Sequence, residues 1–217
     1  FMSVMAARYG LHSKNAYAGI DHCPMWTITH GVPKLANPLL DAMRRLNLIG
    51  NKHVPDLYKV NSREVRLQLL AGLLDGDGSL SSGGYDFCGT RKQISESVVF
   101  LARSLGLAAY MRERTTRTQH GTPCVSWRVS ISGECSVIPC RIARKKCPPR
   151  RQVKDVLVTG IKVIPIGPGD YYGFELDGDG LFLLGDFTVT HNTRVVGMMA
   201  ERMVSRTKAS GKTCRML

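Results

Sequence analysis

The chain has 217 residues, of which 43% are hydrophobic, enough for one large globular domain or two small ones. It carries 30 Lys and Arg against 17 Asp and Glu, and this formal net charge of +13 favours a polyanionic partner such as nucleic acid. No run reaches the roughly 18 apolar residues of a membrane span. Seven Cys without a Cys-x-x-Cys pair predict reduced thiols in an intracellular protein rather than a disulfide framework.

An internal repeat organises the chain as far as residue 149. Residues 1–11 (FMSVMAARYGL) resemble 97–107 (SVVFLARSLGL), residues 23–29 (CPMWTIT) resemble 124–130 (CVSWRVS), and 52–55 (KHVP) resemble 146–149 (KCPP), with offsets of 96, 101 and 94. Each unit is predicted to run helix, strand, strand, helix and then a Lys-x-x-Pro turn. The second helices of the two units are predicted at Asn37–Leu48 and, from a weaker pattern, near Cys135–Ala143.

A further helix is predicted just before residue 78. Asn61 or Ser62 can cap its first turn, Glu64 suits the positive end of its dipole, and apolar residues recur at three- and four-residue spacing. It ends in the tetrapeptide Asp75-Gly76-Asp77-Gly78. An identical tetrapeptide at 177–180 lies between apolar runs and predicts a hairpin turn instead.

The end of this helix is a candidate metal site. A glycine in a helix interior costs about 1 kcal/mol, so Ala71 and Gly72 are expected to allow a second helix to approach closely. A carboxylate at the negative end of a helix is unfavourable unless a cation binds there, which makes Asp77 a candidate metal ligand. The alternative is a buried helix that simply ends in an Asp-Gly turn.

Basic and polar residues are predicted to bind DNA. Period-two alternation places Arg112 and Arg114 on one strand face, and it places Arg128, Ser130 and Ser132 opposite Val129 and Ile131 on another. A basic run that can grip phosphates without reading sequence consists of Arg141, Arg144, Lys145, Lys146, Arg150 and Arg151. The alternative for this run is an ordinary solvated surface.

Residues 170–192 (DYYGFELDGDGLFLLGDFTVTHN) are predicted to be strand segments with a turn at Gly185-Asp186. They end in His191-Asn192, and Thr193 follows. This segment resembles the last blocks of inteins, in which the side-chain amide of the final asparagine attacks its own carbonyl and breaks the next peptide bond. The resemblance implies that Asn192 has this role, that His191 donates a hydrogen bond or proton to the junction, and that Thr193 supplies a hydroxyl nucleophile.

Together these features resemble an intein with an embedded LAGLIDADG homing endonuclease of the DOD type. Residues 70–78 (LAGLLDGDG) resemble the signature helix, residues 37–80, 97–107 and 145–150 resemble the second endonuclease half of the fungal vacuolar ATPase intein, and residues 170–192 resemble the last intein blocks. The resemblance implies an α+β fold. An αββαββα-like pseudo-repeat would occupy residues 1–151, the C-terminal strands of a Hint splicing domain 152–192, and host protein 193–217.

The resemblance also implies functional roles. Asp77 would ligate Mg²⁺ with an aspartate of the other repeat, and Lys52 and Lys146 would lie near the cleaved phosphates, although Lys145 leaves the second assignment open by one residue. Splicing by His191, Asn192 and Thr193 would need no cofactor. Because the first aspartate is expected roughly 20 residues before Phe1, the chain is predicted to be an N-terminally truncated fragment. It would bind its double-stranded homing site but stay inactive without the missing segment.

Residues 193–217 resemble the segment after the Walker A lysine of superfamily 1 DNA helicases, which implies a host helicase split at that motif. Three alternatives remain open. The chain could be a degenerate intein that splices but no longer cuts, or a LAGLIDADG-type nucleic-acid binder without catalysis. A Hedgehog-type autoprocessing domain is disfavoured, because those chains lack the terminal His-Asn.

Overall fold

In the computed structural model, the described residues are 2–17, 25–32, 35–117, 121–151, 155–156, 158, 160, 162, 164–165, 167–170 and 174–191. The predicted splicing residues Asn192 and Thr193 and the predicted host segment 193–217 lie outside them. The chain divides into two units, Phe1–Leu57 and Tyr58–Leu217. No helix among the described residues is long and apolar enough to cross a membrane.

The first unit contains helix α1 (Met2–Arg8), strands β1 (His12–Tyr17) and β2 (Met25–Thr29), and helix α2 (Pro38–Arg45). The two strands pair antiparallel, with an irregularity between Asn15 and Tyr17. Helix α2 starts where predicted, because the Asn37 side chain accepts the N–H groups of Leu39 and Leu40 at 3.1 and 3.2 Å. The predicted order of helix, strand, strand and helix is therefore confirmed in this unit.

The second unit is built on a four-stranded antiparallel sheet. After the short helix α3 (Asp56–Lys59), the elements are α4 (Arg63–Asp77), β3 (Gly78–Ser81), β4 (Gly84–Gly89), α5 (Lys92–Ser104), β5 (Ala108–Arg117) and β6 (Pro123–Ser132). The strand order in the sheet is β3-β4-β6-β5. One core contains buried residues of α4 and α5 together with inward residues of the sheet, such as Phe87 and Val129. This arrangement confirms a mixed α+β fold with antiparallel sheets.

The internal repeat is visible at the ends of α1 and α5. Gly10 and Gly106 both have positive φ, at 64° and 83°, which favours glycine at a helix C-terminus. In both units, the leucine that follows the glycine donates its N–H to a helix carbonyl: Leu11 to Ala6 at 2.9 Å, and Leu107 to Ala102 at 3.0 Å. A helix and an antiparallel strand pair thus follow one another in each repeat.

The prediction of a second helix near Cys135–Ala143 was wrong. That segment contains two short 3-10 turns, Cys135–Val137 and Ala143–Lys145, with extended chain between them. Ile138 has ψ of 116° because the residue before a proline, here Pro139, is biased away from the helical region. This segment buries Cys135, Ile138 and Cys140 in the core.

Near the C-terminus, strands β7 (Leu181–Leu183) and β8 (Val189–His191) form an antiparallel hairpin. The predicted turn at Gly185-Asp186 is confirmed, and the Asp186 carboxylate accepts the N–H of Thr188 at 3.0 Å. Residues 174–176 are not a strand, contrary to prediction. Among the described residues, no strand forms a backbone pairing with residues 174–176.

Candidate metal centre and basic sheet face

Helix α4 forms as its sequence predicts. Ser62 caps it, with its hydroxyl accepting the N–H of Val65 at 3.3 Å. Ala71 and Gly72, which were expected to allow a second helix to approach closely, have different surroundings. Ala71 is buried in the unit's own core beside Leu70 and Leu74, whereas a Cβ added at the exposed Gly72 would meet nothing within 4 Å.

The two aspartates at the end of α4 have different surroundings. The Asp75 carboxylate accepts the backbone N–H groups of Arg141 and Ile142, at 2.8 and 3.2 Å. The exposed Asp77 carboxylate makes no hydrogen bond or ion pair with the described residues. The described part of the chain also contains no group of three or more His, Cys, Asp and Glu side chains placed to hold a metal ion. Asp75 therefore has a structural role, and Asp77 is the carboxylate open to a ligand.

Lys145 closes the end of α4. Its ammonium group donates to the carbonyl oxygens of Leu74, Asp75 and Gly76, at 2.9, 2.8 and 3.3 Å. The last carbonyls of a helix lack intrahelical donors, and a cation is favourable at this negative end. Tyr85 fixes the backbone of the same residue by donating its hydroxyl to the Lys145 carbonyl at 2.6 Å.

The prediction that Lys145 belongs to an exposed phosphate-gripping run was therefore wrong. The side chain is 4% exposed, and its charge is directed at helix carbonyls. Lys146, the next residue, is exposed. The local sequence could not separate these adjacent lysines, because the choice depends on where α4 ends in space.

Burial also corrects the alignment of the two Lys-x-x-Pro turns. Val54 and Cys147 are both buried, at 7% and 9% exposure, and each directly precedes a proline. Matching these two residues aligns Lys52 with Lys145, an offset of 93 rather than 94. Lys52 itself is exposed.

The predicted polar sheet face is confirmed. On β6, Val129 and Ile131 are buried and Ser130 is exposed. The strand register places Arg112 of β5 opposite Arg128 of β6, so that like charges are cross-strand neighbours. Arg112 and Arg114 are exposed and lie on the same face by alternation.

An acidic residue that the sequence analysis missed lies in this face. The Asp86 carboxylate accepts from Arg128 Nε at 3.1 Å and Arg128 Nη2 at 2.6 Å, and Ser130 Oγ donates to it at 2.7 Å. The hydrogen bonds from Arg128, and next the one from Ser130, hold the pKa of the Asp86 carboxyl below its usual range. The alternation of β4, with Tyr85 and Phe87 buried, was the available signal that Asp86 points outward.

The other predicted phosphate contacts are not equivalent. Arg144 and Arg151 are exposed. Arg150 donates to the carbonyl of Ser82 at 2.7 Å and packs on the turn between β3 and β4. A Cβ at Gly83 would approach the Arg150 Cδ atom to 2.7 Å and displace this flexible side chain, whereas the positive φ of 73° favours glycine in this turn.

Three buried thiols, Cys135, Cys140 and Cys147, lie in the same core region. Burial raises the pKa of Cys135 to about 11 and also raises the pKa values of the other two. The described cysteines form no disulfide bonds with one another.

Of the predicted splicing residues, only His191 is described. It is exposed at the end of β8, where its backbone pairs with Leu181.

Part of the chain is similar to known proteins. A sequence model of the homing endonuclease family matches residues 53–155, the region that contains α4 and the four-stranded sheet. This region is therefore similar to homing endonuclease domains, and the match covers slightly less than half of the chain. The curated protein "Replicative DNA helicase DnaB" of Mycobacterium intracellulare is 32% identical over 93 residues, which cover 42% of this chain and 16% of that relative.

Proposed function

We propose that the chain is part of an intein that interrupts a replicative DNA helicase, splices itself out and cleaves both strands of a DNA homing site. The similarity to homing endonuclease domains and the similarity to a replicative helicase support this proposal. The proposed host replaces the superfamily 1 helicase expected from residues 193–217. The proposed boundaries remain 1–151 for the endonuclease, 152–192 for the splicing domain and 193–217 for the host.

The observation that carries the nuclease proposal is the free carboxylate of Asp77. It lies at the end of α4, exposed and without a partner among the described residues, so its oxygens are open to a cation. Carboxylate oxygen suits Mg²⁺, so Asp77 is proposed to hold that ion with an aspartate of the other repeat. A bound divalent ion supplies charge neutralisation at phosphoryl oxygens and an activated water.

Three lysines are proposed to contribute to cleavage in two different ways. Lys145 keeps the last turn of α4 intact and thereby positions Asp77. Lys146 and Lys52 keep exposed ammonium groups that can stabilise charge on a phosphate.

DNA is proposed to lie on the sheet face that carries Arg112, Arg114 and Arg128. The exposed guanidinium groups of Arg144 and Arg151, with a contribution from Arg150, are proposed to contact phosphates, which gives affinity without sequence information.

For splicing, the hairpin β7–β8 supports the proposed chemistry because its last strand ends one residue before Asn192. The amide nitrogen of Asn192 would attack its own carbonyl carbon, forming a succinimide as the bond to Thr193 breaks. His191 would supply the hydrogen bond or proton at this bond. The Thr193 hydroxyl would carry the branched ester before that step.

The cleavage proposal is tested with the full-length natural protein and a plasmid that carries an uninterrupted replicative helicase gene. We expect linear product with Mg²⁺ and none with EDTA. Intact helicase-gene plasmid in the presence of Mg²⁺, or cleavage that EDTA does not stop, would refute the nuclease assignment.

The splicing proposal is tested by intact-mass spectrometry of the same protein expressed in bacteria. The wild type should release a product that ends at Asn192 with a succinimide, and Asn192→Ala should abolish this release. A product with any other C-terminal residue would show that the junction lies elsewhere.

A further inference from the structure

The basic sheet face contains an acidic group that is withdrawn from its surface. The Asp86 side chain is 18% exposed, whereas the Arg128 side chain bound to it is 41% exposed. A ligand approaching this face therefore meets the guanidinium group before it meets the carboxylate. If its only effect were to repel DNA, the Asp86 carboxylate would be expected at the surface. Instead, it lies beneath Arg128.

The contact with Asp86 uses only one edge of the guanidinium group. Arginine has five N–H donors in a planar fork. Nε and one N–H of Nη2 are directed to Asp86, at 3.1 and 2.6 Å. Both N–H groups of Nη1 and the second N–H of Nη2 remain. One N–H of Nη1 and the second N–H of Nη2 are parallel and form the outer edge of the fork, the edge that Asp86 does not occupy. Two parallel donors on that edge match the O6 and N7 acceptors that guanine presents in the major groove.

We propose that Asp86 and Arg128 form a guanine-reading unit, in which Asp86 is a positioning residue that presents the outer edge of Arg128 to one guanine of the target. This inference rests on the proposed function, since it requires that the sheet face binds DNA. It goes beyond the proposed function by naming Arg128 as the residue that contacts a base, guanine as that base, and Asp86 as the group that orients the arginine.

An acidic residue is useful here because it can hold the Arg128 side chain in place before DNA binds. A free arginine side chain loses considerable rotamer entropy when it is fixed on a base, and holding it in place beforehand reduces that cost. Ser130 contributes by donating to Asp86 at 2.7 Å, which fixes the carboxylate itself. Arg112, the cross-strand neighbour of Arg128, makes no hydrogen bond to Asp86 among the described residues and is left to bind phosphate.

A simpler role for Asp86 is to offset the repulsion between Arg112 and Arg128 across the strands. The two roles differ in what they predict. Charge compensation predicts that loss of Asp86 changes stability and overall affinity. Positioning predicts that the preference for one base is lost while affinity for unrelated DNA is retained or increased.

The test is selection of bound sequences from randomised duplex DNA by the full-length protein, with the relative affinity for each base measured at every position. Arg128→Ala identifies the position by losing its guanine preference. Asp86→Asn should reduce the same preference about tenfold, the size expected for one bidentate base contact. Ser130→Ala, which leaves both charges in place, should give a smaller loss at the same position.

Glu113→Gln is the matched control, because it removes one negative charge from the opposite face of β5. It should leave the guanine preference intact. Full guanine preference in both Asp86→Asn and Ser130→Ala, or an equal loss in Glu113→Gln, would overturn the inference while sequence-specific binding still stands. Wild-type protein without any base preference would instead overturn the proposed function, and the inference with it.

Discussion

Replacing Lys145 by Met removes the ammonium group that closes α4 and keeps an unbranched side chain of similar length. The three carbonyl oxygens of Leu74, Asp75 and Gly76 then lose a shared charged donor that lies 2.8 to 3.3 Å away. Because the side chain is only 4% exposed, water does not readily replace it.

The expected loss can be worked out from these contacts. A hydrogen bond that involves a charged group contributes about 1.5–3 kcal/mol net. The three bonds share one cation, so they are not additive, and about 3 kcal/mol in total is a reasonable expectation. For a unit of this size each kcal/mol lowers the melting temperature by about 2–4 °C, which gives a decrease of about 6–12 °C.

Thermal unfolding followed by circular dichroism measures this decrease, and Lys146→Met is the matched control. Lys146 is exposed, so its substitution should change stability by less than about 0.5 kcal/mol. Equal melting temperatures for the two variants would refute the inward placement of Lys145. A larger loss in Lys146→Met would show that the two lysines exchange roles.

Two further predictions concern the sheet face. Arg112→Ala combined with Arg114→Ala should reduce the slope of log affinity against log salt by about 2, because each phosphate contact contributes about 0.9; an unchanged slope would place these arginines off the DNA. The lowered pKa of Asp86 predicts that its contribution to stability is present above the ordinary carboxyl pKa and is lost as pH falls through the folded-state value. Asp86→Asn should flatten this acid dependence in urea unfolding, and an unaltered profile would contradict it.

Local signals predicted much of the fold. The cap at Ser62, the regular apolar spacing and the terminal Asp-Gly-Asp-Gly defined α4, and glycines at matching repeat positions marked the ends of α1 and α5. Period-two alternation assigned the faces of β6 correctly. These features depend on neighbours within a few residues, which the sequence displays directly.

The features that were missed depend on distant partners. Asp86 meets Arg128 across 42 positions, and Lys145 meets the end of α4 across about 70. Nothing local distinguishes Lys145 from Lys146 or Asp75 from Asp77. The helix expected around Pro139 from the internal repeat does not form, because a proline biases the residue before it away from the helical region.

The most direct test of the nuclease account is Mg²⁺-dependent plasmid cleavage by full-length protein with Asp77→Asn, compared with Asp179→Asn. Asp179 occupies the corresponding position of the second Asp-Gly-Asp-Gly, where its carboxylate accepts the N–H of Leu181 at 3.0 Å. A metal contribution of several kcal/mol corresponds to about a thousandfold, so Asp77→Asn should lose cleavage by at least that factor and still bind DNA. Asp179→Asn should cleave like the wild type. Wild-type cleavage by Asp77→Asn, or an equal loss in both variants, would contradict the assignment of Asp77 as the metal-binding carboxylate.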